Sequence, residues 1–141
     1  MRIEVTYDHP HLRFPRKETI RAIRSVLRRE SKQVEGVSVV YTTNARMRAM
    51  NEKHLNHHYV TDVITFELEQ TPKLETEIYI NLDRARIQAR TYGATFSNET
   101  ARLLIHGLLH VLGYNDKSKE QRALMRREED AVLESLRIRK N

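Results

Sequence analysis

Cysteine is absent from the 141 residues. That excludes disulfides, iron–sulfur clusters, thiolate zinc sites and a cysteine nucleophile, and it fits a reducing compartment. Tryptophan is also absent and aromatics are only 6%, so no aromatic-rich platform exists for stacking successive bases. No apolar run approaches the ~18 residues that would span a bilayer. The first residues, Met1-Arg2-Ile3-Glu4-Val5-Thr6, hold no apolar signal core. These absences predict a soluble cytoplasmic protein with no membrane partner. The length predicts a single domain, 1–141, large enough to bury a core without staples.

Positive charge is plentiful. Lys plus Arg number 25 against 19 Asp plus Glu, a net charge of +6, which favours a polyanionic partner through counterion release from phosphates. With few aromatics, such recognition should follow the backbone, with a steep salt dependence. Much of the charge lies between Phe14 and Lys32. There Ile20, Ile23, Val26 and Leu27 recur at helical spacing, while Arg16, Lys17, Arg21, Arg24, Arg28 and Arg29 occupy much of the rest. This is an amphipathic helix with a basic exposed side. That side, with Arg46 and Arg48, supplies candidate phosphate contacts.

Residues 2–7 alternate apolar and polar, which predicts a strand. Gly36 precedes Val37-Ser38-Val39-Val40-Tyr41-Thr42, a second strand rich in β-branched residues. Asn44 can cap a helix through about Leu55. Asp62–Phe66 and Glu77–Asn81 predict two more strands, with Pro72 marking a turn between them. Asp83 can cap a helix to Tyr92 that Gly93 ends. Ser97 or Asn98 starts a helix to Leu112, and Ser118 with Gln121 fits a capping box for the last helix, to about Ile138. Leu124, Val132, Leu133 and Leu136 should pack that helix on the body, with residues 137–141 fraying. Four strands among five helices, without strict βαβ repetition, predict an α+β fold: a mixed four-stranded sheet covered by helices.

The chemistry-bearing stretch is His106-Gly107-Leu108-Leu109-His110-Val111-Leu112-Gly113-Tyr114-Asn115-Asp116. His106 and His110 are four apart, so on a helix they share one face and can chelate one metal ion. Gly113 can end the helix and turn the chain so that Asp116 returns to the same point. Histidines at 0 and +4, glycine at +7 and a ligand at +10 is the metzincin arrangement, with Asp in place of the third His. Glu99, Arg102, His106 and His110 form one polar stripe on an otherwise apolar helix, as expected of a stripe facing a cleft. Three protein ligands leave a position for water, whose pKa a divalent ion lowers toward ~7. A metallopeptidase also needs a Glu directly after the first His. Gly107 stands there, so the peptidase base is missing.

This stretch resembles the signature of the YbeY family of metal-dependent endoribonucleases, His-Gly-x-Leu-His-x-x-Gly-Tyr-Asp-His. Thr61-Asp62-Val63-Ile64-Thr65-Phe66 is similar to a second family segment, Thr-Asp-Val-Leu-Ser-Phe. Asn51 and Glu99 match further family positions, and the order of elements agrees along nearly the whole chain. Four positions depart from the pattern. Asp116 stands for the third His, Leu55 for an arginine thought to be catalytically important, and Thr76-Glu77 for a Gly-Asp pair.

The resemblance implies a zincin-like metal helix on a mixed four-stranded sheet, a basic groove at the metal, and single-stranded ribosomal RNA as substrate. It implies one divalent ion per chain on His106, His110 and Asp116, and no small-molecule cofactor. Zinc is the first choice; a harder Asp ligand brings manganese and magnesium into competition. Ribosomal proteins are further candidate partners. Arg102 is a candidate phosphate contact in place of the family arginine. Asp62 is a candidate for orienting a metal-bound imidazole, and Thr61 and Thr65 could flank the groove. His54, His57 and His58 read as surface histidines near a turn. An RNA-binding assembly factor with a structural metal is the non-catalytic alternative, and a metallohydrolase of another small ester or amide the third.

Overall fold

A computed structural model describes residues 1–55, 61–69 and 74–141, without the side chains of residues 54, 55 and 69. The expected Pro72 turn, the cluster of His54, His57 and His58, and the Leu55 side chain lie outside the described residues. The element order is β1 (Arg2–Tyr7), α1 (Arg16–Glu30), β2 (Val34–Thr42), α2 (Asn44–Leu55), β3 (Val63–Glu69), β4 (Leu74–Asn81), α3 (Leu82–Tyr92), α4 (Phe96–Val111) and α5 (Lys119–Leu136). The strands form one sheet in the order β1-β2-β4-β3. β1–β2 and β2–β4 are parallel, whereas β3–β4 is antiparallel. The fold is therefore α+β with a mixed four-stranded sheet, as the sequence predicts.

Alternation along the strands sorts their side chains onto two faces. Val37, Val39 and Tyr41 of β2 and Ile78 and Ile80 of β4 are buried, and join the main core with Ile23 and Val26 of α1 and Leu104, Ile105 and Leu108 of α4. Each such side chain contributes roughly 1.5–3 kcal/mol relative to exposure. A smaller cluster of Met47, Met50 and Ile64, flanked by Phe66 and Tyr79, binds α2. Ile64 and Phe66 alternate with Val63 and Thr65 of the same strand, and the methyls of Val63 and Thr65 face Gly107 of α4. The two clusters thus use opposite faces of β3.

Several caps differ from the sequence expectation by one to three residues. α2 is capped by Thr43, whose Oγ1 accepts from the Arg46 N–H, not by Asn44. α3 is capped by Asn81 rather than Asp83. Asp83 sits in the first turn, where its carboxylate accepts from the Asn44 N–H and from His9. α4 is capped by Thr95, ahead of Ser97 and Asn98. Each substitution keeps the chemistry, a short oxygen-bearing side chain satisfying an orphan N–H. The capping box of Ser118 and Gln121 forms as expected. Gly93 ends α3 at φ 65°, and Gly113 turns the chain after α4 at φ 111°, a region glycine reaches without steric cost.

Two expectations for α5 are corrected. Leu124 is 43% exposed, and Met125 is buried instead, in register with Val132, Leu133 and Leu136. Residues 137–141 are not left loose. The Thr95 N–H donates to the Lys140 carbonyl and the Thr95 hydroxyl to the Arg139 carbonyl, so the tail is clasped to the start of α4. Among the described residues, no helix is long and apolar enough to cross a membrane.

Candidate metal centre

The site is built on α4. Gly107 lets this helix approach the sheet: a Cβ there would sit 3.1 Å from a Val63 methyl and 3.3 Å from methyls of Ile78 and Thr65. The position that carries the catalytic Glu of a metallopeptidase therefore faces packed strands and has no room for a side chain. That close approach presents the adjacent His106, half-buried, beside the β3 entrance.

Both histidines have one ring nitrogen fixed. His106 Nδ1 donates to Glu129 Oε2 at 2.6 Å, and His110 Nδ1 donates to the Tyr114 carbonyl at 3.0 Å. Neither a carboxylate nor a carbonyl can donate, so each ring carries a proton on Nδ1, and in the neutral ring Nε2 holds the lone pair a metal would take. The rings stack with centroids 6.0 Å apart and planes 18° from parallel. Gly113 turns the chain, and Asp116 Oδ2 comes to 3.7 Å from His106 Nε2. Two acceptors facing each other are stabilised by a cation between them. Ligand atoms each ~2.0–2.2 Å from a tetrahedral ion lie about 3.3–3.6 Å apart, close to the observed spacing.

The donor chemistry therefore fits a divalent ion. Its convergence is incomplete: among the described residues, no three His, Asp or Glu side chains already meet as a ligand set.

Around His106 lies a polar network. Glu129 of α5 is 4% exposed; its Oε2 holds His106 and its Oε1 accepts from Arg102 at 3.0 Å. Arg102 also donates to Asp130 at 2.7 Å, so its guanidinium is held by two carboxylates. A cavity of about 190 Å³ is lined by Asp62, Gln88, Glu99, Arg102, His106 and Glu129, among others. Asp62 accepts from Gln88 Nε2 at 3.1 Å, and its carbonyl accepts from the Asn81 N–H. Fully buried Asn81 also donates to the Thr61 carbonyl and to Asn44, tying β3's entrance to the starts of α2 and α3.

Electrostatics follow from this arrangement. The hydrogen bond that His106 donates to Glu129 raises the His106 pKa against the opposing effect of burial, with Asp116 and Asp62 adding to the rise. Burial pushes the Glu99 carboxyl up to about 7; Asp62 and Glu129 add to this, while Arg102 and Arg126 oppose it.

The structure brings His106, Asp116, Arg102, Asp62 and Glu99 into one neighbourhood, with His110 stacked on His106. Sequence reasoning missed Glu129. Its signal was a charged residue in register with Met125, Val132, Leu133 and Leu136, the apolar face of α5.

The family model described as endoribonuclease YbeY matches residues 4–137. The chain belongs to the YbeY endoribonuclease family. An endoribonuclease YbeY of Chlorobium chlorochromatii is 38% identical over 127 residues, covering 90% of this chain and 81% of its own. That of Bacteroides thetaiotaomicron is 32% identical over 132 residues, covering 92% and 96%. A Thermotoga maritima protein solved in solution superposes with a TM-score of 0.67 at 22% identity, covering 95% of this chain and 88% of its own. It shares the fold. In this YbeY family member, Glu129 holds the His106 ring, and the turn after α4 brings Asp116 beside it.

Proposed function

We propose that this chain, as a single domain of residues 1–141, is a metal-dependent endoribonuclease. It acts in the cytoplasm on single-stranded segments of ribosomal RNA during ribosome biogenesis, alongside ribosomal proteins. The observation that carries the metal reading is the pair of histidines whose Nδ1 protons are committed to Glu129 and to the Tyr114 carbonyl. That pattern orients imidazoles for metal binding through Nε2. His106, His110 and Asp116 would hold one ion, zinc first and manganese or magnesium as competitors. When bound, the ion would supply Lewis acidity and a water of lowered pKa.

The chain's own residues do the rest. Glu129 fixes the His106 tautomer. Arg102, clamped by Glu129 and Asp130, holds the Glu129 carboxylate in place against the His106 ring. Asp62, anchored by Gln88 and by Asn81, faces the same cavity and sets the charge around His106.

The test combines elemental mass spectrometry on protein purified without chelator with cleavage of a ribosomal RNA fragment. About one ion per chain, lost together with cleavage in His110→Ala, is the expected result. Cleavage that persists in His110→Ala without metal would overturn the assignment. Binding of the fragment without cleavage, at full metal occupancy, would favour a non-catalytic assembly factor.

A further inference from the structure

The basic side of α1 is a single line. Lys17, Arg21, Arg24 and Arg28 follow at spacings of four, three and four, and Lys32 continues four residues later, just past the helix. All five are exposed. The buried face of the same helix is Thr19, Ala22, Ile23, Val26 and Leu27. No acid interrupts the line, although five cations there compare with a net charge of +6 for the whole chain. By contrast, α5 mixes Lys119, Arg122 and Arg126 with Glu120, Asp130 and Glu134.

Neighbouring like charges at these spacings cost roughly 0.2–0.5 kcal/mol a pair, and the line carries three such pairs within the helix. Three exposed arginines elsewhere are paired with carboxylates: Arg2 with Glu4 and Glu75, Arg46 with Asp8, Arg48 with Glu52. Arg24, Arg28 and Lys32 have no such carboxylate among the described residues.

Arg24 and Arg28 form a ridge between two clefts. One, about 520 Å³, runs between α1 and α5, where the Ser25 and Ser135 hydroxyls face each other at 3.3 Å. The other, about 480 Å³, opens toward Lys32 and Gln33. The line also has a direction. The last residue of α1, Glu30, accepts from the Tyr114 hydroxyl, two residues before Asp116. Arg29 pairs with Glu128 at 2.8 Å, next to the Glu129 that holds His106. The Arg28 end of the line is thus the end fastened to the metal turn and its supporting helix.

We propose that the α1 ridge is a second RNA site, a track for the phosphodiester backbone that holds sequence away from the cleavage point. From Lys17 to Arg28 the helix covers ~17 Å, enough for several consecutive phosphates. Charge without aromatic side chains makes this track indifferent to base identity. The inference rests on the endoribonuclease reading above for its choice of RNA as the polyanion.

The test is the salt dependence of oligouridine binding to metal-loaded protein, by fluorescence anisotropy, with probe integrity followed on a gel. Each lost phosphate contact on a single strand reduces the slope of log K against log salt by ~0.7. Arg24→Gln with Arg28→Gln should make the slope shallower by about 1.4, and Arg24→Lys with Arg28→Lys should restore it. Circular dichroism and metal content should be unchanged in both, which separates lost contacts from lost fold. An unchanged slope in the glutamine pair overturns the track. So does wild-type protein that binds phosphatidylserine vesicles and not oligouridine. Probe bound with the full slope but never cut would sink the nuclease reading and leave the track standing; probe cut with an unaltered slope in the glutamine pair would do the reverse.

Discussion

Glu129 is buried yet fully engaged, one oxygen on the His106 ring and the other on Arg102. Buried charge is tolerated when paired and hydrogen-bonded on both sides. Glu129→Gln keeps the shape and removes the charge that sets the ring's proton. Metal affinity, read by competition with a chromophoric chelator, should fall ~10–100-fold, with the far-ultraviolet spectrum unchanged. Glu99 is the opposite case, 4% exposed and held by no hydrogen bond to its carboxyl among the described residues. With its pKa pushed up to about 7, the folded state binds this proton more tightly than the unfolded chain does. Its contribution to stability is therefore lost as pH rises from the ordinary carboxyl range through 7. Glu99→Gln in chelator should be more stable than wild type by roughly 2–3 kcal/mol at pH 8 and indistinguishable at pH 4, by urea unfolding. An offset that did not vary with pH would contradict the assignment.

At the level of elements, α4 is the part whose placement decides the site, and Gly107 decides α4. Replacing Gly107 by Ala adds ~0.5–1 kcal/mol of helix preference. It also drives a methyl into three strand methyls at 3.1–3.3 Å, at a cost of about 1–3 kcal/mol. The crowding wins because its neighbours sit on paired strands. We expect a net loss of ~1–2 kcal/mol in chemical denaturation, with weakened metal binding as α4 lifts from β3.

The sequence made α4 legible because its motif, periodicity and terminal glycine all agree. β1 was legible from alternation and β2 from its β-branched run, though β2, β3 and β4 run longer than their apolar cores suggested. The caps were read one to three residues away because Thr, Asn, Asp and Ser all suit the role and several stand together near each helix start. Leu124 misled because it is apolar but one position off the face that Met125 shares with Leu136. The partners of Glu129 and the Thr95 clasp were illegible for a different reason: both are contacts between elements far apart in the chain. The local pattern of α5 marks Glu129 as a charge on an apolar face but not what it meets.

For the molecule as a whole, binding a ligand only in the folded state raises stability by mass action. Metal at a hundred times its dissociation constant should contribute ~2.7 kcal/mol, or about 5–10 °C in Tm for a chain of this size. Scanning fluorimetry should show that shift for wild type with zinc or manganese and none for His106→Ala; equal shifts in both would place the ion elsewhere.

The pairing of His106 with Glu129 also sets an order of events in synthesis. The two residues lie 23 positions apart, so a chain growing from its N-terminus displays its histidines before it has made the carboxylate that orients them. The first turn of α4 waits longer still, since Thr95 is clasped by Arg139 and Lys140. Domains fold as units once their partners have emerged. The nascent chain therefore carries an unfinished centre until α5 docks.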